Sequence, residues 1–173
     1  MRTFRLQRGV TILEIFVCLA ISLILFAVLF PMFGGQPRHS HASACMSGMK
    51  QQNFGLVMYR SDYDEWMPLP GGWVRELYPY TKNIGIFRCY EVTKQDPSGY
   101  GYALNDLTCG RSLAKEPHPE SVIDLFESSN WSINAHDALA SIAKPGRHAG
   151  LNYYGYVDGH VRPYKDGAKI PGL

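Results

Sequence analysis

The chain is expected to fold as α+β: a long N-terminal helix, half of it in a membrane and half packed on a domain, followed by a small antiparallel β-sheet domain. Three observations carry that expectation. Residues 15–33 are almost unbroken apolar sequence. Residues 38–60 repeat apolar side chains at helical spacing. Beyond Ser61, short aromatic-rich stretches alternate with Pro and Gly, and the last of them holds Asp158-Gly159 between two runs of strand-forming residues.

The elements follow in order. A basic leader comes first: Arg2, Arg5 and Arg8 precede Gly9 with no acid among them. Positive charge beside an apolar helix holds that side in the cytoplasm, so the chain after Phe33 is expected outside. A secretory signal would place its small-residue cleavage site after a shorter apolar run. Here the natural break, Gly9, precedes the run, so the oily segment stays on the mature protein. Within residues 15–33 only Cys18, Ser22 and Pro31 interrupt the apolar character. As a helix this segment reaches about 28 Å, close to the hydrocarbon thickness of a bilayer. Pro31 lacks a backbone donor and is expected to kink or loosen the outer end, with Gly34, Gly35 and Pro37 breaking the helix just after it.

The second half of the helix is expected over residues 34–60. Ala42, Cys45, Met49, Leu56 and Tyr59 recur at three- and four-residue spacing, with Gln52 the polar exception, and this stripe is expected to pack on a domain. Lys50, Gln51 and Arg60 are expected in water. Residues 61–173 then form the extracytoplasmic domain. Pro68, Pro70, Gly71, Gly72, Pro79, Pro97, Gly99, Gly101 and Pro117 punctuate it, which suits turns and short strands. Residues 121–127 read as a buried strand. Residues 151–157 and 160–164 read as a hairpin closed by Asp158-Gly159, with positive φ expected at both turn positions.

Charge excludes one class of function. Removing the leader's three arginines from 17 basic residues against 15 acidic ones leaves the rest of the chain within about one charge of neutral. Nucleic acid needs a concentrated basic face and is not an expected partner. Of four cysteines, Cys18 lies in the apolar segment and behaves there as a small hydrophobe. Cys45, Cys89 and Cys109 would face an oxidising compartment, where disulfides are permitted. Cys45 with Cys89 is the preferred pair, Cys89 with Cys109 the second, and three buried thiols the third reading.

The stretch Arg8-Gly9-Val10-Thr11-Ile12-Leu13-Glu14 resembles the processing site of type IV prepilins and type II secretion pseudopilins. That resemblance implies cleavage after Gly9 by a prepilin peptidase, N-methylation of Val10, and an assembly role for Glu14. Pro31 falls where such helices commonly carry a proline. Residues 1–9 would be the leader and residues 10–33 the transmembrane and assembly helix. His148, nine further residues and Asp158-Gly159 resemble a subgroup called prepilin-type H-X9-DG proteins; Arg147, Asn152, His160 and Val161 also match its pattern. The run from Cys45 to Tyr59 resembles the subgroup's second helix half, with Gly48 and Met49 standing where Asn-Leu is usual. Implied partners are the prepilin peptidase and methylase, other pilin or pseudopilin subunits, and the assembly machinery of the inner membrane. The implied place is the cytoplasmic membrane, single-pass, extending to a type IV pilus-like or type II secretion-like filament.

The residues can be weighed without the family. A carboxylate in a membrane helix costs a few kcal/mol near the centre and less near an end. Cleavage after Gly9, which the resemblance implies, would give Glu14 a partner in the Val10 ammonium of a neighbouring subunit. Thr11-x-x-Glu14 is also a capping-box pattern, and the two roles are compatible. His148, Asp158 and His160 raise a metal or catalytic reading, but no nucleophile or zinc spacing accompanies them. They are expected to be structural, with His148 and Asn152 bracing the loop into the hairpin, and neither a bound metal nor enzymatic activity is expected. Calcium is the only cofactor raised, by Asp62, Asp64 and Glu65, which lack the glycine and final glutamate of a twelve-residue calcium loop. Two other classes stay open. One is a membrane-displayed protein that binds carbohydrate or protein through its aromatic side chains. The other is a secreted enzyme, cut after Ala42-Ser43-Ala44, with catalysis around His148.

Overall fold

The computed structural model describes residues 11–33 and 37–173; Gly9 and Val10, the expected processing site, lie outside the described residues. The chain divides into two compact units, residues 1–40 and 41–173. In the first, helix α1 spans Ile12–Phe33 and is helical through Pro31. Its start is a reciprocal capping box. Thr11 N–H donates to Glu14 Oε2 at 3.0 Å, and Glu14 N–H donates to Thr11 Oγ1 at 3.3 Å. Ser22 returns its hydroxyl to the Cys18 carbonyl at 2.8 Å, so the one strongly polar side chain inside the apolar run satisfies itself on its own helix. Over Ile12–Phe30 the helix is long and apolar enough to cross a membrane, and none of it is buried within the chain.

Helix α2 spans Pro37–Asp62, and from His41 onward it belongs to the second unit. There it is the central support of the domain. Cys45, Met49 and Leu56 enter the core as the stripe requires. Three polar side chains share that face. Gln52 donates to the Ile86 carbonyl at 2.7 Å, and Asn53 donates to the carbonyls of Tyr156 and His160 at 3.0 and 3.1 Å. Arg60, expected in water, is buried: its guanidinium donates to the Val157 carbonyl at 2.5 Å and lies 3.7 Å from Glu65. The backbone carbonyl of the hairpin turn draws it inward, and the long aliphatic stem covers apolar surface on the way.

Residues 63–100 differ from the expected turns and short strands. Helix α3, Trp73–Thr81, and a one-turn helix α4, Tyr90–Thr93, occupy this stretch, joined by a 3-10 turn over Ile84–Phe87. Trp73, Val74 and Leu77 form the buried side of α3. Trp73 packs edge-to-face on Phe87 and donates its indole N–H to the Ala135 carbonyl. A helix of nine residues with Pro79 inside it leaves too weak a periodic signal to read, and tertiary packing of its apolar side decides it.

The sheet has five strands in the order β3-β1-β2-β4-β5, with β1 at Tyr102–Asn105, β2 at Ile123–Glu127, β3 at His136–Asp137, β4 at Leu151–Tyr156 and β5 at Val161–Lys165. It is mixed rather than purely antiparallel, because the two-residue edge strand β3 runs parallel to β1. Both faces are covered. Tyr102, Leu104, Leu125 and Tyr153 join the core under α2, while Ala103, Ile123, Phe126, Tyr154 and Tyr156 join a second cluster on the other face. All five residues of β2 are therefore buried; the strand expected over residues 121–127 begins two residues later, at Ile123.

The β4–β5 hairpin forms where Asp158-Gly159 indicated, with a different turn. Among the described residues of the turn only Gly159 has positive φ (96°). Gly159 N–H donates to the Tyr156 carbonyl and Tyr156 N–H to the His160 carbonyl. This is a turn followed by a left-handed glycine that makes a bulge. Asp158 lacks the expected positive φ, and its carboxylate accepts the His160 N–H at 3.1 Å, closing a local Asx turn.

Candidate functional site: a buried Cys–Cys–His–Glu cluster

Four side chains from four parts of the domain converge beneath α2. Cys45 points inward from α2, one turn before Met49. Cys89 caps the start of α4 in an extended conformation, its N–H held by the Tyr100 carbonyl at 2.9 Å. Glu127 ends β2 directly opposite Tyr102 of β1 and on the same sheet face as Leu125, which turns it toward the helix. His148 lies in the turn before β4. That turn is tight: a Cβ on Gly146 would come within 2.5 Å of the Gly150 carbonyl carbon, and Ala149 and Gly150 both have positive φ.

The geometry is close. The Cys45 and Cys89 sulfurs are 3.0 Å apart. Cys89 Sγ is 3.7 Å from His148 Nε2 and 3.9 Å from Glu127 Oε1. His148 Nε2 and Glu127 Oε1 are 2.7 Å apart. Cys45, Cys89, Glu127 and His148 are all buried, Glu127 completely. A buried carboxylate survives only with partners, and this one has three. Besides His148, Tyr153 N–H donates to its Oε2 at 2.9 Å, and the Arg147 guanidinium lies 3.7 Å from Oε1. Arg147 is itself pinned by the carbonyls of Gly101 and Ser128.

These contacts set the acidities. Burial pulls the His148 pKa down, but hydrogen bonds to Cys89 and Glu127 and the Glu127 charge outweigh it and hold it up at about 9. The hydrogen bond between the two thiols lowers Cys45, and the same bond together with burial raises Cys89. One sulfur is thus poised as the acceptor and the other as the donor.

The remaining sequence-derived candidates divide among several places. Asn152 accepts the Arg147 N–H at 3.1 Å and donates to the Ala143 carbonyl at 2.6 Å. His160 and Asp158 pair with each other at the hairpin tip, 2.5 Å apart, with the His160 ring stacked on Tyr156. Neither reaches the Cys–Cys–His–Glu cluster. Cys109 lies apart from it, with burial and the Asp106 and Asp124 charges raising its thiol pKa to about 12. All four cysteines are free thiols. Asp62, Asp64 and Glu65 do not converge: Asp62 accepts from Tyr80 at 2.8 Å, and Glu65 faces Arg60. Among the described residues the one set of three metal-capable side chains drawn together is Cys45, Cys89 and His148. The aromatic residues split as well. Trp73, Tyr102, Tyr153, Tyr154 and Tyr156 are core, whereas Trp66, Tyr78 and Tyr90 are exposed.

Glu127 escaped the sequence reading. Its one signal was a strand, Ile-Asp-Leu-Phe-Glu, that carries two acids yet is otherwise wholly apolar. Nor does spacing show that Cys89 and Glu127 meet His148, since 59 and 21 residues separate them. Compared with protein families, with curated proteins and with solved structures, the chain matches none.

Proposed function

We propose that the chain is a membrane-anchored pilin-like or pseudopilin subunit, cut after Gly9 and assembled through α1 into a type IV pilus-like or type II secretion-like filament. The supporting observation is α1: an apolar, unburied, membrane-length helix whose one acid, Glu14, stands in its first turn just behind a basic leader. In a single subunit Glu14 is held by Thr11 through the capping box. A hydrogen bond to a neutral donor only partly offsets the cost of a carboxylate at a membrane face. Cleavage creates an ammonium at Val10, and packing of helices side by side lets Glu14 of one subunit meet the amine of the next. The processing step thus makes the partner that assembly needs. In this reading the protein is the substrate of an enzyme and not one itself, and the domain from His41 onward is displayed outside the membrane.

N-terminal sequencing and intact mass of the protein from its host's membranes test the reading. A chain that begins at Val10, with or without an added methyl group, supports it. A chain that begins at Met1 leaves a plain signal anchor, and one that begins near Cys45 is a secreted protein; either outcome overturns it.

A further inference from the structure

The geometry points to a structural zinc site formed by Cys45, Cys89, His148 and Glu127, a clip that ties α2 to the start of α4, the end of β2 and the turn before β4.

The donor set is the first argument. Two thiolates and an imidazole are ligands of soft-to-borderline ions, and a carboxylate completes four; all four types are common on zinc. The second is distance. Zn–S bonds of about 2.3 Å and Zn–N bonds of about 2.0–2.1 Å place tetrahedral neighbours roughly 3.5–3.8 Å apart. Cys89 Sγ to His148 Nε2 is 3.7 Å and Cys89 Sγ to Glu127 Oε1 is 3.9 Å. The two sulfurs at 3.0 Å and the Nε2–Oε1 pair at 2.7 Å would each part by less than about 1 Å to admit the ion. The ligand atoms of Cys45, Cys89 and His148 already lie within 4.8 Å of one another, and Glu127 adjoins that triad on the side of Cys89 and His148.

Charge is the third argument. Zinc with two thiolates and one carboxylate carries one net negative charge, and Arg147, 3.7 Å from Glu127, supplies the matching positive one. The second oxygen of Glu127 stays held by the Tyr153 N–H, which orients the carboxylate from behind. With four protein ligands, all of them buried residues, the site has no open position, so its role is to hold the fold. On binding, the two thiol protons leave to solvent, and the proton between His148 and Glu127 is displaced with them. A disulfide between Cys45 and Cys89 is the competing chemistry. It would engage two of the four convergent groups and leave the His148–Glu127 pair without a purpose beside it.

The test uses the full chain purified from membranes in detergent, without chelator or reductant. Metal analysis is expected to find one zinc per chain, with Cys45 and Cys89 protected from alkylation until a chelator is added. Added Co2+ is expected to give a thiolate-to-cobalt charge-transfer band. That band is lost in Cys89→Ser and His148→Ala, and kept in His148→Cys and in Cys109→Ser. Rescue by cysteine separates a ligand from a mere brace, which a thiol would not replace. Two results overturn the site: a Cys45–Cys89 linked peptide with an intact mass lower by two hydrogens and no zinc, or free thiols that take up neither Zn2+ nor Co2+ when these are supplied. Neither result depends on where the leader is cut.

Discussion

Asp124 and Glu127 lie three residues apart on β2, and their surroundings treat them oppositely. Glu127 has His148, Arg147 and the Tyr153 N–H around it. Asp124 is fully buried, and among the described residues neither of its oxygens has a hydrogen-bond partner. Burial raises its pKa to about 7, against the opposing pull of the Arg60 charge. The folded value lies above the unfolded one near 4, so folding favours the protonated form. Its contribution to stability is full below about pH 4 and is lost as pH rises to about 7, by at most about 4 kcal/mol. Asp124→Asn is expected to remove that slope, checked by urea denaturation of both proteins between pH 4 and 8. At Glu127 the expectation is different. Glu127→Ala leaves the Arg147 charge, its side chain only 9% exposed, and the buried His148 without their carboxylate and is expected to cost about 3 kcal/mol at neutral pH. The same denaturation experiment reads it. Two acids in an apolar strand were visible in the sequence; which of them has partners was not, because those of Glu127 are Arg147, His148 and the Tyr153 N–H, far away along the chain.

At the scale of elements, the hairpin and α2 show how local signals succeed and where they stop. Asp158-Gly159 marks the reversal between β4 and β5 because glycine alone tolerates the backbone needed there. The detailed turn depends on the Asp158 carboxylate, which accepts the His160 N–H. A Cβ at Gly159 would face both positive φ and Val57 Cγ2 at 3.2 Å. Gly159→Ala is therefore expected to cost about 1–2 kcal/mol, seen as a lower denaturation midpoint with an unchanged slope. On α2 the apolar stripe marks the buried face, but Asn53 and Arg60 share that face without an apolar signal. They are there because the hairpin turn presents the carbonyls of Tyr156, Val157 and His160 to the helix. Helix α3 is the converse case: its nine residues carry little helical preference, and the pocket for Trp73 makes the element.

For the whole molecule, the division at Ser40 and His41 carries the clearest expectation. A fragment of residues 41–173 keeps Cys45, Met49, Gln52 and Leu56 in the core, and is expected to be soluble and to unfold in one cooperative transition. A fragment of residues 61–173, cut at the end of the helical pattern, loses all four together with Asn53. It is expected to lack a cooperative transition, checked by thermal denaturation followed by circular dichroism. The anchor has its own test. Glu14→Ala is expected to leave membrane insertion and cleavage after Gly9 intact while abolishing filaments, read by N-terminal sequencing and electron microscopy of the same cells. Continued assembly of the Glu14→Ala protein would remove the proposed pairing with Val10.

The sequence alone determined the apolar helix with its capped start, the buried face of α2, the strand β2 and the place of the last hairpin. Each is written in residues that are neighbours or share a short period, so backbone geometry and water suffice to specify them. Tertiary structure alone decided the parallel edge strand, the helices between α2 and the sheet, the burial of Arg60, and above all the meeting of Cys45, Cys89, Glu127 and His148. Those outcomes rest on side chains tens of residues apart, brought together only when the core closes and when buried charge and unpaired backbone groups must find one another.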